Sequence, residues 1–352
     1  MLESARFADR NGFASVWVPE RHFTKFGGLY PNPAVLHAAL ATATRRVRLN
    51  AGSVVVPLHD PVRIAEEWAM VDNLSGGRVG ISFASGWNPA DFAFFPERYR
   101  NRQEVMLAGI RAVQRLWRGE TTKARSGDGE EIDIRIYPSP VQTELPVWLT
   151  AAGNPATYML AGEIGANLLT HLLDQDEGQL ADKIALYRQA RARHGWDPDA
   201  GVVTVMLHTF VGTDASLVRE QARAPFCQYI KSNIGLLKGL SQSRGRNIDI
   251  SSMPERDLDE FVNFLYERFA AERGLIGTPE SCFALVERLH GIGVNEIASL
   301  LDFGPEAELI LSNLSHLSRL KDLCRVRLRA AEKSAAASRQ AEQRFVAESV
   351  QA

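Results

Sequence analysis

Short apolar runs alternate with helix-patterned stretches along most of the chain, and this alternation restricts the fold more than any other feature. The runs are SVWVP (15–19), VRLNAGSVVV (47–56), RVGISFA (78–84), VWLTAA (147–152), ANLLTHLL (166–173), VVTVMLHTFV (202–211) and EIASLLDF (296–303). Most are continuous rather than alternating, as strands buried on both faces are. Between them, PAVLHAALATATRR (33–46), PVRIAEEWAMVDNLS (61–75), RNRQEVMLAGIRAVQRLW (100–117), PATYMLAGEIG (155–165) and DKIALYRQARARHG (182–195) carry helical periodicity. Repeated strand-then-helix units pair their strands in parallel through crossover helices, in either an open doubly wound sheet or a closed barrel. No glycine-rich GxGxxG turn follows an early strand, which argues against the open dinucleotide-binding fold. Polar residues instead gather at the ends of several strands: Glu20, Arg21 and His22; Ser53; Ser85 and Asn88; Asn154; His171; Asp302. Barrel enzymes build their sites from such ends, so the expected fold is a (β/α)8 TIM barrel.

Seven strands are legible where that barrel needs eight. The chain opens in a helix, LESARFADRNG, which normally follows the first strand, so the first strand is apparently missing. A start assigned too late or a trimmed chain explains this more simply than a seven-stranded design. The expected organisation is a barrel over 1–320, with insertions near 119–146 and 213–275, then a helical tail or linker over 321–352. The first insertion holds SGDGEE, read as a solvated tip, and a hairpin-like IRIYPSPVQTELP; the second holds SQSRGRNIDISSMPERD.

Composition narrows the function classes. Of 352 residues, 45% are hydrophobic and 23% charged, which excludes disorder as the main state. The 40 basic residues face 42 acidic ones, so the basic excess of a nucleic-acid binder is lacking. No apolar window of membrane-spanning length occurs, and the charged N-terminus does not read as a signal peptide, so a cytoplasmic protein is expected. Cys227, Cys282 and Cys324 are too scattered for a disulfide framework or a metal cluster.

Four passages in order carry a resemblance: VWVPERHFTKFGGLYPNPAVL (16–36); LNAGSVVVPLHDPVRIAEEWAMVDNLSGGRVGISFASGW (49–87), with a D-x-L-S-x-G-R element at Asp72, Leu74, Ser75, Gly77 and Arg78; LPVWLTAAGNPATYMLAGEIGANLLTHLL (145–173); and GTPESCFALVERL (277–289). Through them nearly the whole chain resembles the bacterial luciferase-like flavin-dependent monooxygenases. The wording GGLYPNPAVL and SVVVPLHDPVR is similar to the subgroup associated with polyketide and nonribosomal peptide biosynthesis. The resemblance implies reduced FMN at the C-terminal mouth of the barrel, supplied by a separate reductase, and transfer of one oxygen atom from O2 to an organic substrate. That substrate is a small molecule, either free or tethered to a carrier protein, and a homodimer is one assembly the resemblance allows. A deazaflavin-dependent oxidoreductase and a non-catalytic, partner-stabilising family member are the alternatives.

The site residues follow from the same matches. In PERHF the family's usual first histidine is replaced by Arg21, and His22 matches the second. Histidine suits proton transfer near neutral pH, whereas arginine acts by fixed charge. The expectation is that His22 faces the mouth and Arg21 pairs with an acidic neighbour. Gly52–Ser53 matches a position that often carries a non-prolyl cis peptide beneath the flavin. Ser85 stands where luciferases place a phosphate-binding arginine. Ala152, Gly153 and Asn154, with Thr157, form a strand-to-helix turn whose logic is that of a phosphate cradle. Thr170 and His171 are expected to face the flavin or substrate. His208 reads equally well as a core residue, and His59 as turn and cap chemistry.

Overall fold

The computed structural model describes residues 1–25, 27–232 and 253–350, with side chains throughout except at 329 and 331–350. Most of SQSRGRNIDISSMPERD therefore lies outside the described residues. In chain order the elements are α1 (Leu2–Arg10), β1 (Ser15–Val18), α2 (Pro33–Ala43), β2 (Arg48–Val55), α3 (Pro61–Ser75), β3 (Val79–Ala84), α4 (Arg102–Trp117), β4 (Thr122–Arg125), β5 (Glu131–Ile134), β6 (Val147–Thr150), α5 (Pro155–Glu163), β7 (Asn167–His171), α6 (Glu177–Arg193), β8 (Val203–Val211), α7 (Ala215–Lys231), α8 (Glu255–Glu272), β9 (Leu275–Gly277), α9 (Pro279–Gly291), β10 (Glu296–Leu300) and α10 (Ala307–Val350).

Local chemistry starts these helices where the sequence signals them. Asn32, Asp60, Asn154 and Thr278 each accept a backbone N–H of the first turn and are each followed by a proline. Proline at the first helical position loses a donor that would have no partner there anyway. Asp176 and Gln179 complete a reciprocal capping box at the head of α6.

The strands pair in parallel in the order β1-β2-β3-β6-β7-β8-β10. Trp17 on β1 and Trp148 on β6 meet edge to face at 5.4 Å between ring centroids. Three strand steps in a flat sheet would separate them by about 14 Å, so the sheet curls around a lumen. Among the described residues no pairing joins β10 to β1, and the barrel stays open along that seam. The three-residue β9 was not foreseen. It pairs with Thr209–Val211 of β8, beyond the stretch that pairs with β10, and lies off the main path.

One apolar core fills the lumen and the layer between strands and helices. A second, more aromatic core joins α7 and α8 to the ends of β8 and β10 through Phe226, Tyr266, Phe269 and Phe303. The first insertion differs from its expected shape: the hairpin is β4–β5 around the SGDG tip, not IRIYPSPVQTELP. That later segment is instead drawn back to the barrel, because buried Asp72 accepts the N–H groups of Val141 and Gln142. At the other end of the chain, α10 runs as one helix across the boundary expected at 320. The strong helix formers of 321–350 give it no reason to stop there.

Candidate functional site

The mouth of the barrel is built from the segments that follow β1, β2, β3, β6 and β7. After β1, the Glu20 side chain is fully buried. Its Oε1 lies 2.7 Å from His22 Nε2 and 2.7 Å from His59 Nε2, and its Oε2 accepts the Val55 N–H at 2.8 Å. Burial pushes the Glu20 carboxyl up, but these hydrogen bonds outweigh it and hold it below the usual carboxylate range. For His59, burial pulls down, and the contact with Glu20 outweighs it, so the imidazole holds its proton to higher pH than a free one. His59 is therefore more than turn chemistry; the cap of α3 is Asp60 alone.

His22 lies against Glu20 and is covered by aromatic rings. It is 9% exposed, edge-on to Phe94 at 5.1 Å and beside Phe23 at 5.7 Å. Arg21 points elsewhere, toward the seam. Its guanidinium hydrogen-bonds Tyr229, and a Cβ placed on Gly27 would lie 3.3 Å from Arg21 Nε and 3.4 Å from Asp302 Oδ2. Asp302 is the carboxylate in this neighbourhood, and it accepts the Gly28 N–H. The charge of Arg21 is felt by His208 on β8.

Along the inner wall, Ser82 and Ser53 both hydrogen-bond Thr150, Ser82 at 2.6 Å. The Gly52–Ser53 peptide is cis, the geometry the resemblance implied, and the β2–β3 register shifts at the same place. Gly52 faces inward beside Trp17 and Leu169. Thr150 and Ser82 were not singled out in the sequence; their inward direction depends on register, which the apolar pattern of a doubly buried strand does not display.

After β3, Ser85 is half-buried, and Arg102 from α4 donates to the carbonyl of the adjacent Gly86 at 3.2 Å. After β6, Ala152 and Asn154 are exposed and Gly153 is half-buried. Asn154 spends its side-chain oxygen on the Ala156 N–H and its backbone carbonyl on the Thr157 N–H. β3 and β6 are neighbours, so the Ser85 and Gly153 turns lie side by side. Asp174, after β7, crowds the same place: a Cβ on Gly153 would lie 3.1 Å from its Oδ2, while its Oδ1 has no hydrogen-bond partner. His171 lies beside it, Nδ1 3.5 Å from that oxygen, with its pKa lowered by burial.

Thr170 must be removed from the site. Leu169 before it faces inward beside Gly52, so the Thr170 side chain points outward to the helix layer. There it is 1% exposed and bonded to Tyr158 at 2.6 Å and to Gln175 at 3.0 Å. His208 is boxed by Phe226, Tyr229, Phe269 and Phe303, each with its ring centroid within 5.5 Å, so the core reading of this residue holds.

Residues 1–296 match the sequence model of the luciferase-like monooxygenases. The chain belongs to that family. Among curated luciferase-like relatives, the oxygenase component of the flavin-dependent trigonelline monooxygenase of Acinetobacter baylyi is 29% identical over 60% of this chain and 58% of its own. The 4-hydroxyprotoasukamycin monooxygenase of Streptomyces nodosus subsp. asukaensis is 30% identical over 63% of this chain and 60% of its own. The matched region thus spans less than two thirds of either relative. Solved structures share the fold. The monooxygenase RslO1 of Streptomyces bottropensis superposes with a TM-score of 0.71 at 24% identity, covering 90% of this chain and 91% of its own. The oxygenating constituent of 3,6-diketocamphane monooxygenase from Pseudomonas putida, in complex with FMN, gives 0.69 at 17% identity over 90% of each. An F420-dependent secondary alcohol dehydrogenase gives 0.67 at 19% identity, over 89% of this chain and 91% of its own.

The donor set at the mouth fits a flavin mononucleotide. Linked uncharged hydroxyls line the inner wall, where a ring system needs shape and neutral hydrogen bonds. At the start of α5 Asn154 already takes the Ala156 and Thr157 N–H groups and Pro155 has none, so a phosphate there would be met by the helix dipole, the Thr157 hydroxyl and the cationic Arg102 that holds the neighbouring turn.

Proposed function

We propose that this chain is the oxygenase component of a two-part flavin-dependent monooxygenase, taking reduced FMN from a separate reductase and oxygenating a small organic substrate in natural product biosynthesis. Family membership carries the reading. Support for the finer statement comes from the relatives named for a trigonelline oxygenase component and for 4-hydroxyprotoasukamycin, and from the FMN-bound camphane enzyme of the same fold.

The group would supply the oxygen-activating chemistry when bound; the chain positions it and excludes water. Gly52, Ser53, Ser82 and Thr150 would face the ring, with Trp17 and Trp148 closing the lumen below. Ser85, Gly153, Asn154 and Thr157 would receive the phosphate. Ser85 brings no charge, and Arg102 beside it supplies the cation that a dianion requires. Asp174 opposes an anion at Gly153, so the phosphate is expected on the Ser85–Arg102 side of the turn rather than against β7.

The deciding experiment is anaerobic titration with reduced FMN and, in parallel, with reduced F420, followed by mixing with oxygenated buffer and stopped-flow absorbance. Micromolar binding of reduced FMN and oxygen-dependent reoxidation altered by the protein are expected. Tight F420 binding without an oxygen reaction would move the chain to the dehydrogenases. Failure to bind either would favour a partner-stabilising role.

A further inference from the structure

The carboxylate of Glu20 carries two imidazoles on one oxygen. An ionised carboxylate can only accept, so both contacts must be Nε2–H donations, from His22 and from His59. Its other oxygen is held by the Val55 N–H, which prevents the carboxylate from turning. The side chain is sealed from water, and water therefore cannot substitute for either donor. From this geometry we infer that Glu20 is a positioning residue: it locks His22 in the Nε2–H tautomer, leaving Nδ1 as the only free acceptor of the ring, with His59 as the second donor that balances the buried charge.

The remaining contacts agree. Phe94 and Phe23 pack against the His22 ring and oppose a flip. The charged groups facing His22 are Glu20 and Asp91 from the turn after β3, whose pKa is raised by its own burial; the Arg21 guanidinium is turned away to the seam. His59, 27% exposed, faces Glu20, Glu67 of α3 and Arg98, which donates to the His59 carbonyl at 2.8 Å. The imidazole that bridges the buried carboxylate to solvent is thus His59, while His22 is the inner partner. Any use of the His22 Nδ1 to take or return a proton during turnover rests on the monooxygenase reading; the tautomer does not.

The test is imidazole 15N–1H correlation spectroscopy on the full chain without flavin, so its outcome is independent of activity. Signals are assigned from His22→Gln and His59→Gln. In its neutral form His22 is expected to show the Nε2–H pattern. In Glu20→Gln, whose amide oxygen accepts more weakly, His22 should become a tautomer mixture and the His59 titration should move to lower pH. In His59→Gln, which keeps a side-chain N–H for the same oxygen and spares the buried acid, His22 should remain Nε2–H. Glu20→Asp, a shorter carboxylate, should restore part of the pattern lost in Glu20→Gln. An Nδ1–H or mixed His22 in the native chain would overturn the proposal. So would a Glu20→Gln spectrum in which neither histidine changes.

Discussion

His208 and His37 are the residues at which burial most clearly sets behaviour. Burial holds His208 down to about 3 and His37 down to about 4. Both are neutral in the folded chain, whereas unfolded histidines titrate near 6.5. The unfolded state therefore binds more protons as pH falls. Stability from these two groups is complete above pH 6.5 and drains away toward pH 4 and then 3. Each tenfold loss of proton affinity on folding is worth roughly 1.4 kcal/mol, so the two histidines together weigh several kcal/mol. His208→Phe should flatten the fall in urea midpoint between pH 7 and pH 5, whatever it does to the midpoint at pH 8; an unchanged slope would reassign the acid sensitivity. Thr170→Val is a second residue-scale prediction. It breaks the bonds to Tyr158 and Gln175, should cost about 1–2 kcal/mol, and should leave FMN affinity unchanged in a fluorescence titration. The family resemblance placed Thr170 in the site together with His171; strand alternation sends the two to opposite faces.

Among the elements, the D-x-L-S-x-G-R segment lies at the end of the barrel away from the mouth. Arg78 stands just before β3, at the opposite end of the strands from the mouth. It donates to the carbonyls of Ser75, Val47, Ala41 and Thr44 and to the Thr44 hydroxyl. It thereby ties the ends of α2 and α3 to the start of β2. Asp72, in the same element, holds the returning chain at Val141 and Gln142. Lysine lacks the planar fork for these carbonyls, so Arg78→Lys should lower stability by about 2–3 kcal/mol while FMN affinity stays within twofold. Thermal unfolding and flavin titration of one preparation read both quantities. The caps were legible for a related reason. A cap is chemistry between residues two or three apart, so Asn32, Asp60, Asn154 and Thr278 announce their helices in the sequence. The Glu20 contact to His59 joins two loops 39 positions apart and has no local signature.

At the scale of the molecule, the seam between β10 and β1 is bridged by side chains where, among the described residues, no backbone ladder joins it. Asp302 reaches across to the Gly28 N–H, and Arg21 lies beside it with Tyr229. The approach is close enough that a Cβ on Gly28 would sit 2.6 Å from the Asp302 carboxylate. Asp302→Ala should therefore release the 21–30 loop, seen as faster amide exchange at Gly28 with little change in the exchange of β3 and β6. Equal protection in the variant would show that the loop is held by other contacts.

The alternation of doubly buried strands with capped helices determined the parallel architecture from sequence alone, because strand and helix periods and caps are local properties of the chain. The family and the turns that carry the mouth were legible for the same reason, since each lies in a contiguous motif. Tertiary structure alone decided which side chains of those turns meet. It turned Thr170 outward, sealed His22 against Glu20, sent Arg21 to the seam, brought Arg102 to the Ser85 turn and recruited His59 from a loop that read as a cap. These outcomes depend on sheet curvature and strand register, which arise from packing the whole barrel and leave no mark within any one segment.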